Sequence, residues 1–190
     1  MSDDVATIAA FAGSLRKGSY NRMLIRAAVE LAPPGIKVVP FDIDDVPLFN
    51  DDLDSDENPL PSVKRLRDAI RSADALLIAS PEYNWSIPGG LKNAVDWASR
   101  LKEVPFAGKP VALQSAATGL LGGSRMQYHL RQSLTSIEAI MFTKPEVIVT
   151  FAAKKFDEKT LELTDQPTRD MVKLQLQSFE KFVRRIAPKG

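Results

Sequence analysis

The groups able to do chemistry in this chain are gathered in three stretches, each following an apolar run. The first is Gly13-Ser14-Leu15-Arg16-Lys17-Gly18-Ser19-Tyr20-Asn21, which combines a glycine turn with hydroxyls, a carboxamide and a guanidinium. Where such a loop opens a helix, free N–H groups and the helix dipole favour an anion. Arg16 adds a donor that can grip two phosphate oxygens at once. Ser14, Arg16, Ser19 and Asn21 together suit a terminal monophosphate. Gly13 and Gly18 have the separation of a nucleoside triphosphate loop, but Ser19 stands where that loop needs lysine. The stretch also lacks the Gly-x-Gly-x-x-Gly of a pyrophosphate turn. The plainer alternative is a tight turn in which Ser19 is simply the helix N-cap.

The second stretch runs from Ser80 to Trp97 and the third from Ala116 to Ser124. Pro81 and Pro88 stiffen the second, which is suited to presenting backbone N–H groups and a flat side chain to an aromatic ring; Pro88 is acceptable in a helix's first turn. The third is rich in glycine and small residues, which let a ligand approach the backbone closely.

Composition narrows what these stretches can do. The 190 residues hold no cysteine, which excludes disulfides, thiolate nucleophiles and Cys-ligated clusters. Redox work must therefore fall to a bound cofactor. With 25 Lys+Arg against 24 Asp+Glu, no overall field draws the chain to nucleic acid or an anionic membrane. A small-molecule partner is expected. The length suits one domain over residues 1–190, and 44% hydrophobic with 26% charged residues is ordinary globular composition. Met1-Ser2-Asp3-Asp4 is acidic where a signal peptide is basic, and the apolar run from Val5 is too short to span a bilayer, so a cytoplasmic location is expected. Asn84-Trp85-Ser86 matches a glycosylation acceptor, a common tripeptide that carries little weight in that setting.

Elements that must position the three stretches follow from periodicity. Val5 to Phe11, Ile36 to Phe41, Ala75 to Ser80, Val111 to Ser115 and Glu146 to Thr150 read as strands, mostly apolar throughout as parallel strands covered on both faces must be. Between them lie helical spacings: Met23, Leu24, Ala27, Ala28 and Leu31; then Val63, Leu66 and Ile70; Leu91 to Leu101; Met126, Leu130, Leu134 and Ile137; and last Met171, Leu174, Phe179, Phe182 and Ile186. Five βα units predict an α/β three-layer sandwich around a five-stranded parallel sheet of order 2-1-3-4-5, the flavodoxin-like arrangement. Ligands of such sheets lie beyond the carboxyl ends of the strands, where all three stretches fall.

With those residues in place, the chain resembles the NADPH-dependent FMN reductase family, which includes chromate, quinone and azo-dye reductases. The likeness rests on Gly13 to Asn21, Pro81 to Trp97, and Gly119 to Arg131 with its Gly122-Gly123-Ser124-Arg125-Met126-Gln127 run, and it extends over essentially the whole chain. It implies that Ser14, Arg16, Ser19 and Asn21, with neighbouring Tyr20, hold the FMN phosphate. Pro81, Glu82, Tyr83 and Asn84 would line the isoalloxazine, and Ser115, Ala116, Thr118 and Gly119 would approach its pyrimidine end. The implied activity passes electrons from NADPH or NADH through bound FMN to a quinone or another small oxidant such as chromate, an azo compound or free flavin, with no obligatory catalytic side chain and no metal. It also implies a homodimer or homotetramer. The alternatives are a flavodoxin-like single-electron carrier, which the near-neutral charge and Arg16 disfavour, and a flavin-binding sensor.

Other conspicuous residues have quieter readings. His129, the single histidine, has no apparent partner to orient it for catalysis and reads as structural or interfacial. Trp97 reads as packing. Trp85 lies either near the flavin or at a subunit contact, and Arg125 or Arg16 is a candidate for the nicotinamide cofactor's phosphates. The acidic stretch from Asp42 to Glu57 lacks the glycine and closing glutamate of a calcium loop and reads as a solvated surface loop. Lys181, Arg184, Arg185 and Lys189 complement the last helix's dipole at a solvated terminus.

Overall fold

The computed structural model describes residues 5–55, 58–100 and 103–186. Asp56, Glu57, Leu101 and Lys189 of the sequence expectations lie outside them. Five strands and four helices alternate first: β1 (Ala6–Ala12), α1 (Tyr20–Glu30), β2 (Ile36–Pro40), α2 (Pro61–Ser72), β3 (Ala75–Ala79), α3 (Gly89–Ala98), β4 (Pro110–Ala116), α4 (Ser124–Thr135) and β5 (Ile140–Met141). Then come β6 (Val147–Val149), a hairpin of β7 (Phe156–Asp157) and β8 (Glu162–Leu163), and α5 (Gln166–Ile186). The sheet order is β2-β1-β3-β4-β5, with every pairing parallel and β6 also on β4. The predicted order is therefore the observed one.

All five residues of β3 and all seven of β4 are buried, as strands covered on both faces require. Two apolar layers result. On one face Ile8, Ala10, Leu77 and Ala112 meet Met23, Leu24 and Ala28 of α1 and Val172, Leu176 and Phe179 of α5. On the other, Ala9, Phe11, Leu76 and Ile78 meet α2, α3 and α4 through Val63, Leu66, Ile70, Leu91, Trp97, Met126 and Leu130. Trp97 is packing, as expected: it is 1% exposed, lies edge-on to Phe49, and gives its indole N–H to the Pro47 carbonyl at 2.7 Å.

Two expectations need correction. The fifth strand is not one run from Glu146 to Thr150. Its place is shared by β5 beside Pro110 and Val111 and by β6 beside Gln114 to Ala116. Carbonyls left over between the two pieces are taken up by long side chains: Arg131 donates to Phe142 at 2.8 Å, and Gln175 to Pro145 at 3.0 Å. The buried stripe of α5 is also rotated from the predicted one. Val172, Gln175, Leu176, Phe179 and Val183 face inward, while Met171 and Leu174 are exposed. A second helical spacing in the same segment wins because Gln175, though polar, finds carbonyl partners at Leu113 and Pro145 and accepts from Gln114.

The acidic stretch is more than a solvated loop. Arg22 meets Asp42 at 2.8 Å, Arg65 pairs with Asp45, and Arg67 meets Asp54 at 2.8 Å. Arg67 is 3% exposed and also donates to the Trp97 carbonyl from Nε (3.1 Å) and Nη2 (2.8 Å). One side chain thus ties the stretch to both α2 and the end of α3. Removing one partner of a buried pair leaves the other charge and a carbonyl without compensation. Arg67→Ala is therefore expected to lower unfolding stability by about 3 kcal/mol, read as a reduced urea midpoint with an unchanged slope.

Candidate functional site

The carboxyl ends of β1, β3 and β4 open into the three stretches singled out above, and hydrogen bonds continue the ladder past the strands. Gly13 N–H donates to Ala79 at 2.9 Å, Ser80 N–H to Gln114 at 3.0 Å, and Ala117 N–H to Val149 at 3.1 Å. Gly13 is needed where the first two stretches meet, since a Cβ there would lie 2.3 Å from Ser80 Oγ. The structure therefore brings the three predicted stretches to one end of the sheet.

In the first stretch Ser19 is the N-cap of α1, its Oγ accepting from Asn21 N–H at 3.2 Å. The hydroxyl proton stays free to donate. Asn21 is 2% exposed and spends its carboxamide on a reciprocal pair with Ala116: Nδ2 donates to the carbonyl and Oδ1 accepts from the N–H, both at 2.9 Å. Tyr20 turns away from the loop, its ring on Phe156 at 5.3 Å and its hydroxyl donating to Glu158, which raises the phenol's pKa. Ser14 is buried, and its carbonyl accepts from Arg22 at 3.4 Å. Arg16 is exposed, with no ion pair or side-chain hydrogen bond among the described residues. The first turn of α1 contains no acidic residue. An uncommitted guanidinium thus sits at a positive helix terminus.

The second stretch is a tight turn. Tyr83 and Ser86 exchange backbone hydrogen bonds at 3.1 and 2.9 Å, and between them Asn84 (φ 47°) and Trp85 (φ 68°) are both left-handed. Such a turn normally has glycine at the second central position, so Trp85 carries a backbone cost that its surroundings must hold. They do so through α4. Gly123, the residue before that helix, has φ 92° and offers no capping side chain. Glu82 supplies the cap from another loop: Oε2 accepts from Arg125 N–H (3.0 Å) and Met126 N–H (3.3 Å), and Oε1 from Arg125 Nη1 (3.2 Å). Arg125 lies over the Trp85 ring at 3.8 Å, a cation–π contact, and Ser86 Oγ meets His129 Nδ1 at 3.0 Å. The Ser86–His129 contact joins the turn to α4. Pro81 is half-buried, whereas Tyr83 and Trp85 are 52% and 67% exposed.

In the third stretch Ser115 is buried and its Oγ accepts from Gln127 Nε2 at 2.9 Å; the same Nε2 donates to the Val147 carbonyl at 2.9 Å. Ala116 is buried against Asn21. Thr118 and Gly119 are exposed at the loop crest, where the Gly119 carbonyl accepts from Phe151 N–H at 3.3 Å. Leu120, 71% exposed, adds an apolar surface.

The predicted residues therefore divide. Asn21, Glu82 and Ser115 have side chains engaged inside the protein, and Tyr20 is engaged with the β7–β8 hairpin. Ser14, Arg16, Ser19, Pro81, Tyr83, Asn84, Ala116, Thr118 and Gly119 form or back the open end. Two residues that hold this end together, Gln127 and Arg125 in its bond to Glu82, were not read as such from sequence. The one available signal was the pair Gly122-Gly123 before α4, which leaves that helix in need of an acceptor from elsewhere. The end as a whole offers a cationic, N–H-rich corner beside flat exposed rings, an arrangement suited to an anion attached to a planar group.

Comparison with known proteins gives the family. Residues 6–154 match the family model described as NADPH-dependent FMN reductase. The chain is 46% identical over 186 residues to an NAD(P)H-dependent FMN reductase of Pseudomonas aeruginosa, covering 98% of this chain and 99% of that one. It is 45% identical over 175 residues to a quinone reductase of Escherichia coli, covering 92% and 93%. Among solved structures, the flavoenzyme NAD(P)H:(acceptor) oxidoreductase of Paracoccus denitrificans superposes with a TM-score of 0.85 at 33% identity, covering 95% of this chain and 98% of that one.

Glu82 can be tested apart from any ligand. Glu82→Ala deprives two α4 N–H groups and Arg125 of their acceptor, with an expected loss of about 1 to 2 kcal/mol. Urea unfolding followed by far-ultraviolet dichroism measures it, and emission from exposed Trp85 reports whether the turn has been released.

Proposed function

The chain belongs to the NADPH-dependent FMN reductase family, and from that premise we propose that it is an FMN-dependent NAD(P)H oxidoreductase that reduces a quinone. The carrying observation is the free Arg16 guanidinium at the acid-free N-terminus of α1, next to two further loops that present exposed flat groups. This supports FMN because one end binds a phosphate dianion and the other faces a planar ring.

When bound, FMN supplies the redox chemistry, accepting hydride from NAD(P)H and returning electrons to the quinone. This chain's residues position and admit. Arg16, Ser14 and Ser19 with the loop N–H groups hold the phosphate. Asn21 acts through Ala116, fixing the distance between the first and third loops. Pro81, Tyr83 and Asn84 border the ring, and Glu82 positions them by fastening their turn to α4. Ala116, Thr118 and Gly119 present backbone to the ring's polar edge, where small side chains keep access open. Reduction of a quinone to the hydroquinone takes up one proton besides the hydride, which solvent at the open end supplies, so no side-chain acid is assigned as obligatory.

The same reading takes residues 1–190 as one domain working in the cytoplasm, where NAD(P)H is available, as a homodimer or homotetramer. Exposed Tyr83, Trp85, Leu120 and Tyr128 around the open end support assembly, since a neighbouring copy would cover them. Among the described residues no helix is long and apolar enough to cross a membrane.

Two measurements test the proposal. Anaerobic addition of NADPH or NADH to the FMN-loaded protein is expected to bleach the flavin absorbance, and quinone to restore it; bound FMN that neither nucleotide reduces would indicate an electron carrier or sensor. Arg16→Ala is expected to weaken FMN retention by on the order of 1.5 to 3 kcal/mol without changing the dichroism spectrum. Equal FMN affinity in the two proteins would remove Arg16 from the phosphate site.

A further inference from the structure

Tyr20 directly follows the Ser19 cap in the first turn of α1, but its side chain leaves the loop. The ring packs on Phe156 at 5.3 Å and the hydroxyl donates to Glu158. Phe156 is buried and lies opposite Leu163 in the β7–β8 pair. Glu158 stands on the turn between those strands, which Asp157 braces by accepting from Lys159 N–H at 2.7 Å and Thr160 N–H at 3.2 Å. The chain leading into this hairpin is fastened to the third loop: Phe151 N–H donates to Gly119 at 3.3 Å and Ala152 N–H to Ala117 at 3.0 Å. The Glu158 carboxylate is therefore presented at a braced position beside the phosphate loop.

That position is close to Arg16. The Arg16 carbonyl accepts from Ser19 N–H at 3.1 Å, so the turn that ends in the helix cap brings residue 16 beside residue 20. Both charged groups act on the Tyr20 phenol. Its pKa is raised, first by the hydrogen bond to Glu158 and then by burial and the carboxylate's charge, while Arg16 pulls it down. Yet Arg16 and Glu158, both exposed, form no ion pair among the described residues. The first turn of α1 holds no acidic residue of its own, and Asp42 and Asp44 face Arg22 instead. Glu158 thus brings a carboxylate to an end of the helix that otherwise favours an incoming anion, and the Tyr20 hydroxyl engages it.

We infer that Tyr20 is a positioning residue for phosphate binding, its hydroxyl keeping the Glu158 carboxylate from pairing with Arg16 in the phosphate's place. Carboxylate and phosphate oxygens compete for the same guanidinium geometry. Without the phenol, Glu158 has a charged partner to turn to, and an exposed pair of that kind is weak but measurable. With it, the carboxylate has a neutral donor and the guanidinium stays free. The inference rests on the reading that Arg16 holds the FMN phosphate, and it assigns Tyr20 no contact with the cofactor.

The test is dilution of FMN-loaded protein, with free-flavin fluorescence giving the dissociation constant, for wild type, Tyr20→Phe, Glu158→Gln and the double variant. Tyr20→Phe is expected to weaken FMN roughly two- to fivefold, a difference that shrinks as salt is added. Glu158→Gln is expected to bind at least as tightly as wild type, and the double variant to match it, because no carboxylate remains to compete. Riboflavin, which lacks the phosphate, is expected to bind all four proteins alike. A Tyr20→Phe protein that holds FMN like wild type would overturn the inference. So would a loss that persists in the double variant or that riboflavin shares, since Tyr20 would then only prop the loop. Wild-type protein that retains no FMN would remove the phosphate reading, and this inference with it.

Discussion

The open end of this sheet depends on one buried contact, the reciprocal pair between the Asn21 carboxamide and the Ala116 main chain. Asn21 lies in the first turn of α1, just after the loop that leaves β1; Ala116 ends β4, two strands away. The carboxamide carries a donor and an acceptor on separate atoms, so one side chain can both donate to a carbonyl and accept from the N–H of the same residue. It sets the height and direction of the helix terminus against the third loop. In a buried place each half of the pair matters more for being satisfied than for its net gain, because a lone carbonyl or amide there is costly.

Other contacts complete the bracing. Gly13 brings the first loop against Ser80, and Glu82 carries the second loop to the N-terminus of α4. Each of the three loops is thus fastened to its neighbours by groups turned inward. The polar groups at this end fall into two kinds for that reason. Those that hold loops are buried or half-buried and have protein partners; those left free, Arg16 foremost, are exposed at a helix terminus whose field favours an anion. Rigid loops with free donors at their crests bind without much reorganisation, which favours a cofactor kept through many turnovers.

The same economy of carbonyl partners explains the irregular side of the sheet. Dividing the fifth strand into β5 and β6 leaves backbone oxygens inside the protein, and Arg131, Gln127 and Gln175 reach them from α4 and α5. Gln175 occupies the inner stripe of α5 by donating to one of those oxygens, at Pro145, and also to the Leu113 carbonyl of β4.

Apolar periodicity was enough to establish the parallel α/β architecture and its strand order, since a strand apolar on both faces has no place except between two helical layers. Sequence also located the three loops, because ligand sites of such sheets lie at their carboxyl ends; it read Trp97 as packing and offered the helix cap at Ser19 only as the alternative to a phosphate contact. It did not separate holders from binders among Asn21, Glu82, Ser115 and Arg16, all polar residues in loops of similar composition. That separation is a matter of distance. Asn21 must meet Ala116, 95 positions along the chain, and Glu82 must meet Arg125, 43 positions along. Local sequence fixes which groups a residue carries; only the folded arrangement decides whether those groups are used up inside the protein or left for a ligand.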